Sequence, residues 1–116
     1  MPLTAEHQKQ YKHNIKLLSH DVFEANDVYW DWYVTILFYS ALHLAEKEIS
    51  KSAIEVKTHN ERLKYIARLD PLNKISYEYY HLYNQSRRAR YECVVFTKKE
   101  LDELKVNFSK IEKLLA

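Results

Sequence analysis

The sequence predicts an all-α fold, an up-and-down antiparallel bundle of four to five helices forming a single domain over residues 1–116. Three observations predict it. The 116 residues include no glycine, which excludes folds rich in tight hairpins and phosphate-cradling loops, because both need positive φ or close backbone approach. Apolar residues recur three and four positions apart along most of the chain, the period of a helix with one buried face. Thr58 with Glu61, and Thr97 with Glu100, have the spacing of capping boxes that open helices.

The first helix is expected over residues 4–24, with Tyr11, Ile15, Leu18 and Val22 inward and a break at Asn26-Asp27. The second, residues 28–50, carries the stripe Trp30, Val34, Leu37, Ala41, Leu44 flanked by Ile36, Phe38, Leu42 and Ala45. A helix apolar over so much of its circumference is the central one. Asp31 and His43 make its 28–45 stretch a bundle helix rather than a membrane span. Residues 50–57 are a connection. The third helix, residues 58–69, turns Leu63, Ile66 and Ala67 inward and stops at Asp70-Pro71. The fourth, residues 72–91, has the most regular spacing, Ile75, Tyr79, Leu82, Ser86, Ala89 and Cys93, with a small-residue end that admits a neighbouring helix. Residues 93–96 are an extended link, and the fifth helix follows from Thr97 with Leu101, Leu104, Phe108, Ile111 and Leu115 inward.

A single Cys93 and an opening without a signal pattern are the marks of a reduced, cytoplasmic protein. The formal net charge of +2 is unevenly placed: residues 1–56 carry −3, residues 57–91 carry +5 and residues 92–116 are neutral. All five arginines, Arg62, Arg68, Arg87, Arg88 and Arg90, fall in the middle block. Arginine forks onto carboxylate or phosphate, whereas lysine mainly solvates a surface. Tyr80, Tyr83, Arg87 and Arg90 share one stripe of the fourth helix, a pattern that suits an RNA backbone and its bases. The same arginines could instead pair with acids on neighbouring helices.

Among the six histidines, His7, His13 and His20 lack the spacing of a helical metal site and read as surface or boundary residues, and no metal or other cofactor is expected. His43 lies on the stripe Trp32, Thr35, Tyr39, His43, Glu46, where a buried imidazole needs a partner from Tyr39 or another helix. His59 and Arg62 stand on the first turn of the third helix, near free backbone N–H groups. For metal-free cleavage of RNA, the available acid, base and cation set is His43, His59, His81, Arg62, Arg87 and Arg90.

Residues 31–43, beginning Asp31-Trp32-Tyr33 and ending Phe38-Tyr39-Ser40-Ala41-Leu42-His43, then His59-Asn60-Glu61-Arg62, then residues 80–91 with Ser86-Arg87-Arg88-Ala89-Arg90-Tyr91, resemble small bacterial members of the HEPN superfamily of nucleotide-binding helical domains. The resemblance implies a four- or five-helix bundle that dimerises and a groove between the second and fourth helices. It also implies a place in defence or toxin–antitoxin-type systems, either as a metal-independent RNase or as a nonenzymatic nucleic-acid or nucleotide binder. Nuclease members carry an Arg followed four to six residues later by His. Here residues 91–96 read Tyr-Glu-Cys-Val-Val-Phe and hold no His. The expectation is therefore a homodimeric, non-membrane binder of RNA or nucleotide through His59, Arg62, Tyr83, Arg87, Arg90 and Tyr91. One alternative is a noncanonical RNase using His43 and Arg90. Another is a protein-interaction subunit presenting Tyr29, Trp30, Trp32 and the tyrosine-rich face of the fourth helix.

Overall fold

The computed structural model describes residues 3–25 and 27–116, the Glu24 side chain apart. Asn26, assigned a breaking role above, lies outside the described residues. The helices are α1 (Thr4–Leu18), a single turn α2 (Asp21–Glu24), α3 (Trp30–Ser50), α4 (His59–Arg68), α5 (Ser76–Tyr91) and α6 (Lys98–Leu115). No strand occurs among the described residues. The architecture is the expected all-α bundle: α1, α5 and α6 pack around α3, and α4 lies against α5 and the 3-10 turn that precedes it.

The central helix follows from its composition. Twelve of its 21 residues are buried, among them Val34, Phe38, Ala41, Leu44, Ala45 and Ile49. Its mid-helix hydroxyls satisfy themselves locally, Thr35 Oγ1 donating to the Asp31 carbonyl and Ser40 Oγ to that of Ile36, so neither needs an external partner. Facing it, α6 buries Leu101, Leu104, Phe108, Ile111 and Leu115, the full stripe read from its period. Thr97 opens α6 with a complete capping box, its hydroxyl accepting from the Glu100 N–H and the Glu100 carboxylate accepting from the Thr97 N–H. Lys47 ties three helices together by donating to Gln8 Oε1 on α1 and to the Leu115 carbonyl on α6.

Several expectations are corrected. The first helix stops at Leu18 instead of continuing to residue 24, because Ser19 turns its hydroxyl back onto the Lys16 carbonyl. Val22, expected inward, is exposed as a result. The residues before α3 and α5 wind as 3-10 turns, Asp27–Tyr29 and Leu72–Ile75. In α4, only one edge meets the bundle, so Ile66 is buried while Ala67 faces solvent. Cys93 leaves the packing stripe entirely. It is exposed, with φ of 52°, in the non-helical link between α5 and α6.

Leu44 is fully buried at the centre of the bundle, so Leu44→Ala should cost about 2–5 kcal/mol. Thr97→Ala, which removes a cap without touching the core, should cost about 1 kcal/mol. Urea unfolding of both variants measures the two losses, and equal losses would contradict this division between core and cap.

Candidate functional site

One polar stripe on α3 organises the chemistry. Tyr39, His43 and Glu46 lie one turn apart on the same face, and each receives a partner from a different helix. Arg90 of α5 donates from Nη1 to Tyr39 Oη at 2.6 Å. His7 of α1 meets His43 with the two Nδ1 atoms 3.0 Å apart. Arg62 of α4 donates from Nε to Glu46 Oε1 at 2.5 Å.

Placement of Arg62 begins with the cap of α4, where the Thr58 hydroxyl accepts from the Glu61 N–H and fixes the first turn. That turn puts His59 and Arg62 on one edge, three residues apart. The Arg62–Glu46 pair is almost dry, with side-chain exposures of 11% and 10%. Such a pair gains little over an apolar replacement, yet removal of one partner strands a buried charge. The same guanidinium donates from Nη1 to His59 Nδ1 at 3.0 Å. Beside the pair, the buried Tyr79 hydroxyl has no hydrogen-bond partner of good geometry, and burial pushes its titration upward.

His59 packs its ring against Phe38 and Tyr83, at centroid distances of 5.9 and 5.2 Å. Burial first, and then the charges of Arg62, Arg90 and Arg87, hold its pKa below the ordinary value. Arg90 is held by neutral groups only. Its Nε donates to the Ser86 carbonyl, its Nη2 to Ser86 Oγ and its Nη1 to Tyr39. The guanidinium lies 5.3 to 5.9 Å from the ring centres of Tyr91, Tyr39 and Phe38, within cation–π range. Arg87 is exposed, over the Tyr83 ring at 5.9 Å. Among the described residues, no carboxylate lies within ion-pair distance of Arg87 or Arg90.

His59, Arg62, Tyr83, Arg87, Arg90 and Tyr91 thus converge on one α4–α5 edge against α3. His43 belongs to another grouping: the charges that reach it are those of His7, Glu46 and Arg62, while Arg87 and Arg90 act on His59. His81 faces α6, where its Nδ1 is bonded to the Asn107 amide. Arg88 is directed there too, pairing with Glu100 at 3.2 Å and lying over Phe96. The expectation for His7 is corrected, since it is buried and not on the surface. Glu46 and Tyr39 were absent from the expected site, although their shared stripe with His43 was visible in the spacing. Among the described residues, no three or more His, Cys, Asp or Glu gather in a metal-binding group.

The His7–His43 contact needs one Nδ1–H and one bare Nδ1, so it holds with the pair neutral or singly protonated and is lost once both rings are protonated. Burial, the leading cause in both, lowers each pKa from 6.5, and Glu46 partly offsets it. A depressed histidine pKa means that the unfolded chain binds more protons as pH falls below about 6.5, so folding stability should decline there. Urea midpoints measured from pH 7.5 to 5 should fall for the native chain. His7→Gln with His43→Gln should flatten that decline, and an unchanged pH dependence in the double variant would contradict the assignment.

No protein-family model, curated protein or solved structure matches this chain.

Proposed function

We propose that the chain is a HEPN-like domain that binds nucleic acid or a nucleotide through its phosphates, acting as a cytoplasmic homodimer in a bacterial defence or toxin–antitoxin-type system. The observation that carries the binding is the pair of cations without a carboxylate. Arg87 and Arg90 are one turn apart, neither pairs with an acid among the described residues, and both lie beside His59 and on aromatic rings. Arg90 uses three of its five N–H groups on Tyr39 and Ser86, which leaves two, one on each terminal nitrogen, to donate to an anion. Tyr91, 73% exposed and against Arg90, offers a face on which a base can stack. The HEPN assignment itself rests on the resemblance of residues 29–91. Among the described residues, no helix is long and apolar enough to cross a membrane.

A second reading, a protein-interaction subunit, is favoured by aromatic exposure elsewhere. Trp32 is 56% exposed at the start of α3. Tyr77, 73% exposed, stands between a groove of about 710 Å³ reaching His81 and Val106 and one of about 470 Å³ reaching Leu63 and Tyr80. Tyrosine and tryptophan in such settings are frequent anchors of protein partners.

Binding of a fluorescent single-stranded oligoribonucleotide, followed by anisotropy across a salt series, separates the readings. Phosphate contacts make affinity fall steeply with salt, and Arg87→Ala should lower the log–log slope by about 1. Tyr91→Ala should cost about 1–3 kcal/mol through a lost stack, while Arg88→Gln, which acts on an arginine already paired with Glu100, should leave the slope unchanged. No binding, or binding indifferent to Arg87→Ala, overturns the proposal in favour of the interaction subunit. Incubation of the same RNA in chelator tests the RNase alternative, with His43→Ala and Arg90→Ala as controls.

A further inference from the structure

Within the +5 block, Arg62 is committed to the interior of the bundle. Arg62 has Nε on Glu46 and Nη1 on His59, and its side chain is 11% exposed. The sequence placed it among the nucleic-acid-binding residues, but in the fold it faces inward.

We infer that Glu46 and Arg62 are positioning residues that fix His59 as a neutral imidazole, with Nδ1 capped by Arg62 and Nε2–H presented, beside Arg87 and Arg90, to an oxygen of a phosphodiester. This rests on the reading of that edge as a phosphate-binding face. A guanidinium has only donors, so the 3.0 Å contact requires His59 Nδ1 to accept. The proton of the neutral ring must then be on Nε2. Among the described residues nothing accepts from that N–H, and the atom is not sealed from solvent. The Phe38 and Tyr83 rings hold the plane of the imidazole.

The groups that decide its charge can be named helix by helix. On α4 it is Arg62, on α5 they are Arg87 and Arg90, and on α3 it is Glu46, which is paired with Arg62. Three guanidiniums outweigh one carboxylate already engaged in a pair. A ring in this state has a donor to offer and no free lone pair with which to abstract a proton. The edge therefore binds an anion that is charged at every physiological pH, and it does so without taking up a proton. His59 is a binding group there, not a general base.

The first arm of the test needs no ligand. Two-dimensional ¹⁵N–¹H imidazole spectra of the free, full-length chain should show His59 with a bare Nδ1 and a protonated Nε2 from about pH 6 to 8. A protonated Nδ1, or an ordinary titration through that range, overturns the inference whatever the chain binds. In the second arm, Glu46→Leu with Arg62→Met removes both charges at once, so that no buried charge is stranded and the bundle keeps its fold, checked by circular dichroism. In that variant the His59 pKa should rise from its native position without reaching the ordinary one, because burial and the charges of Arg87 and Arg90 remain, and affinity for a short oligouridylate at pH 7 should fall about tenfold, as for the loss of an aligned charge-assisted hydrogen bond. Wild-type affinity in the variant would overturn the positioning role even if the native chain binds RNA well. A native chain that has the expected His59 tautomer but binds no oligouridylate would refute the ligand while leaving the tautomer assignment intact.

Discussion

A carboxylate sits where the bundle has almost no water. Glu46 is 8% exposed on the helix around which the others pack, and a charge there is tolerable only with a closely fitted counterion. Arg62 is that counterion, and its reach determines where α4 must dock. Docking of α4 in turn places His59 against Phe38 and Tyr83, and so beside the arginines of α5. The candidate site is thus assembled at second hand from the need to neutralise one buried acid.

Four of the five arginines in the block divide by this logic into two electrostatic classes. Arg62 and Arg88 are matched by Glu46 and Glu100, and they hold α4 to α3 and α5 to α6. Arg87 and Arg90 are matched by no acid among the described residues, although Arg90 is firmly held by Tyr39, Ser86 and three aromatic rings. A cation oriented by neutral oxygens keeps its field for an incoming anion. One tally of charge therefore contained both a structural and a candidate binding function, and only the fold separates them.

The fold was legible in the sequence wherever one face of a helix decides burial. The stripe of α6 and the central standing of α3 follow directly from periodicity. The end of α1 was not legible, because Val22 continues the apolar period after the chain has already turned at Ser19; local hydroxyl chemistry there overrides the pattern. Ala67 was misplaced for a related reason, as α4 meets the bundle along a narrow edge and a small apolar residue at its margin loses little by facing water. Of the candidate site, the α5 residues could be read from one helix alone. The pairing of His43 with His7, 36 positions away, and of Arg62 with Glu46 are contacts between helices, and spacing within one helix carries no information about them.

Two of the described residues, Ala53 and Cys93, have left-handed backbone in places where many proteins use glycine. Each carries a Cβ into that region, at a cost of roughly 1–2 kcal/mol. In exchange, a chain with no glycine samples fewer backbone states when unfolded and gives up less disorder on folding. The segments around these two residues lead into α4, which carries His59, and out of α5, which ends at Arg90 and Tyr91. On the proposed reading, narrow conformational choice at those junctions would leave less of a ligand's binding energy to be used in arranging the flanking side chains.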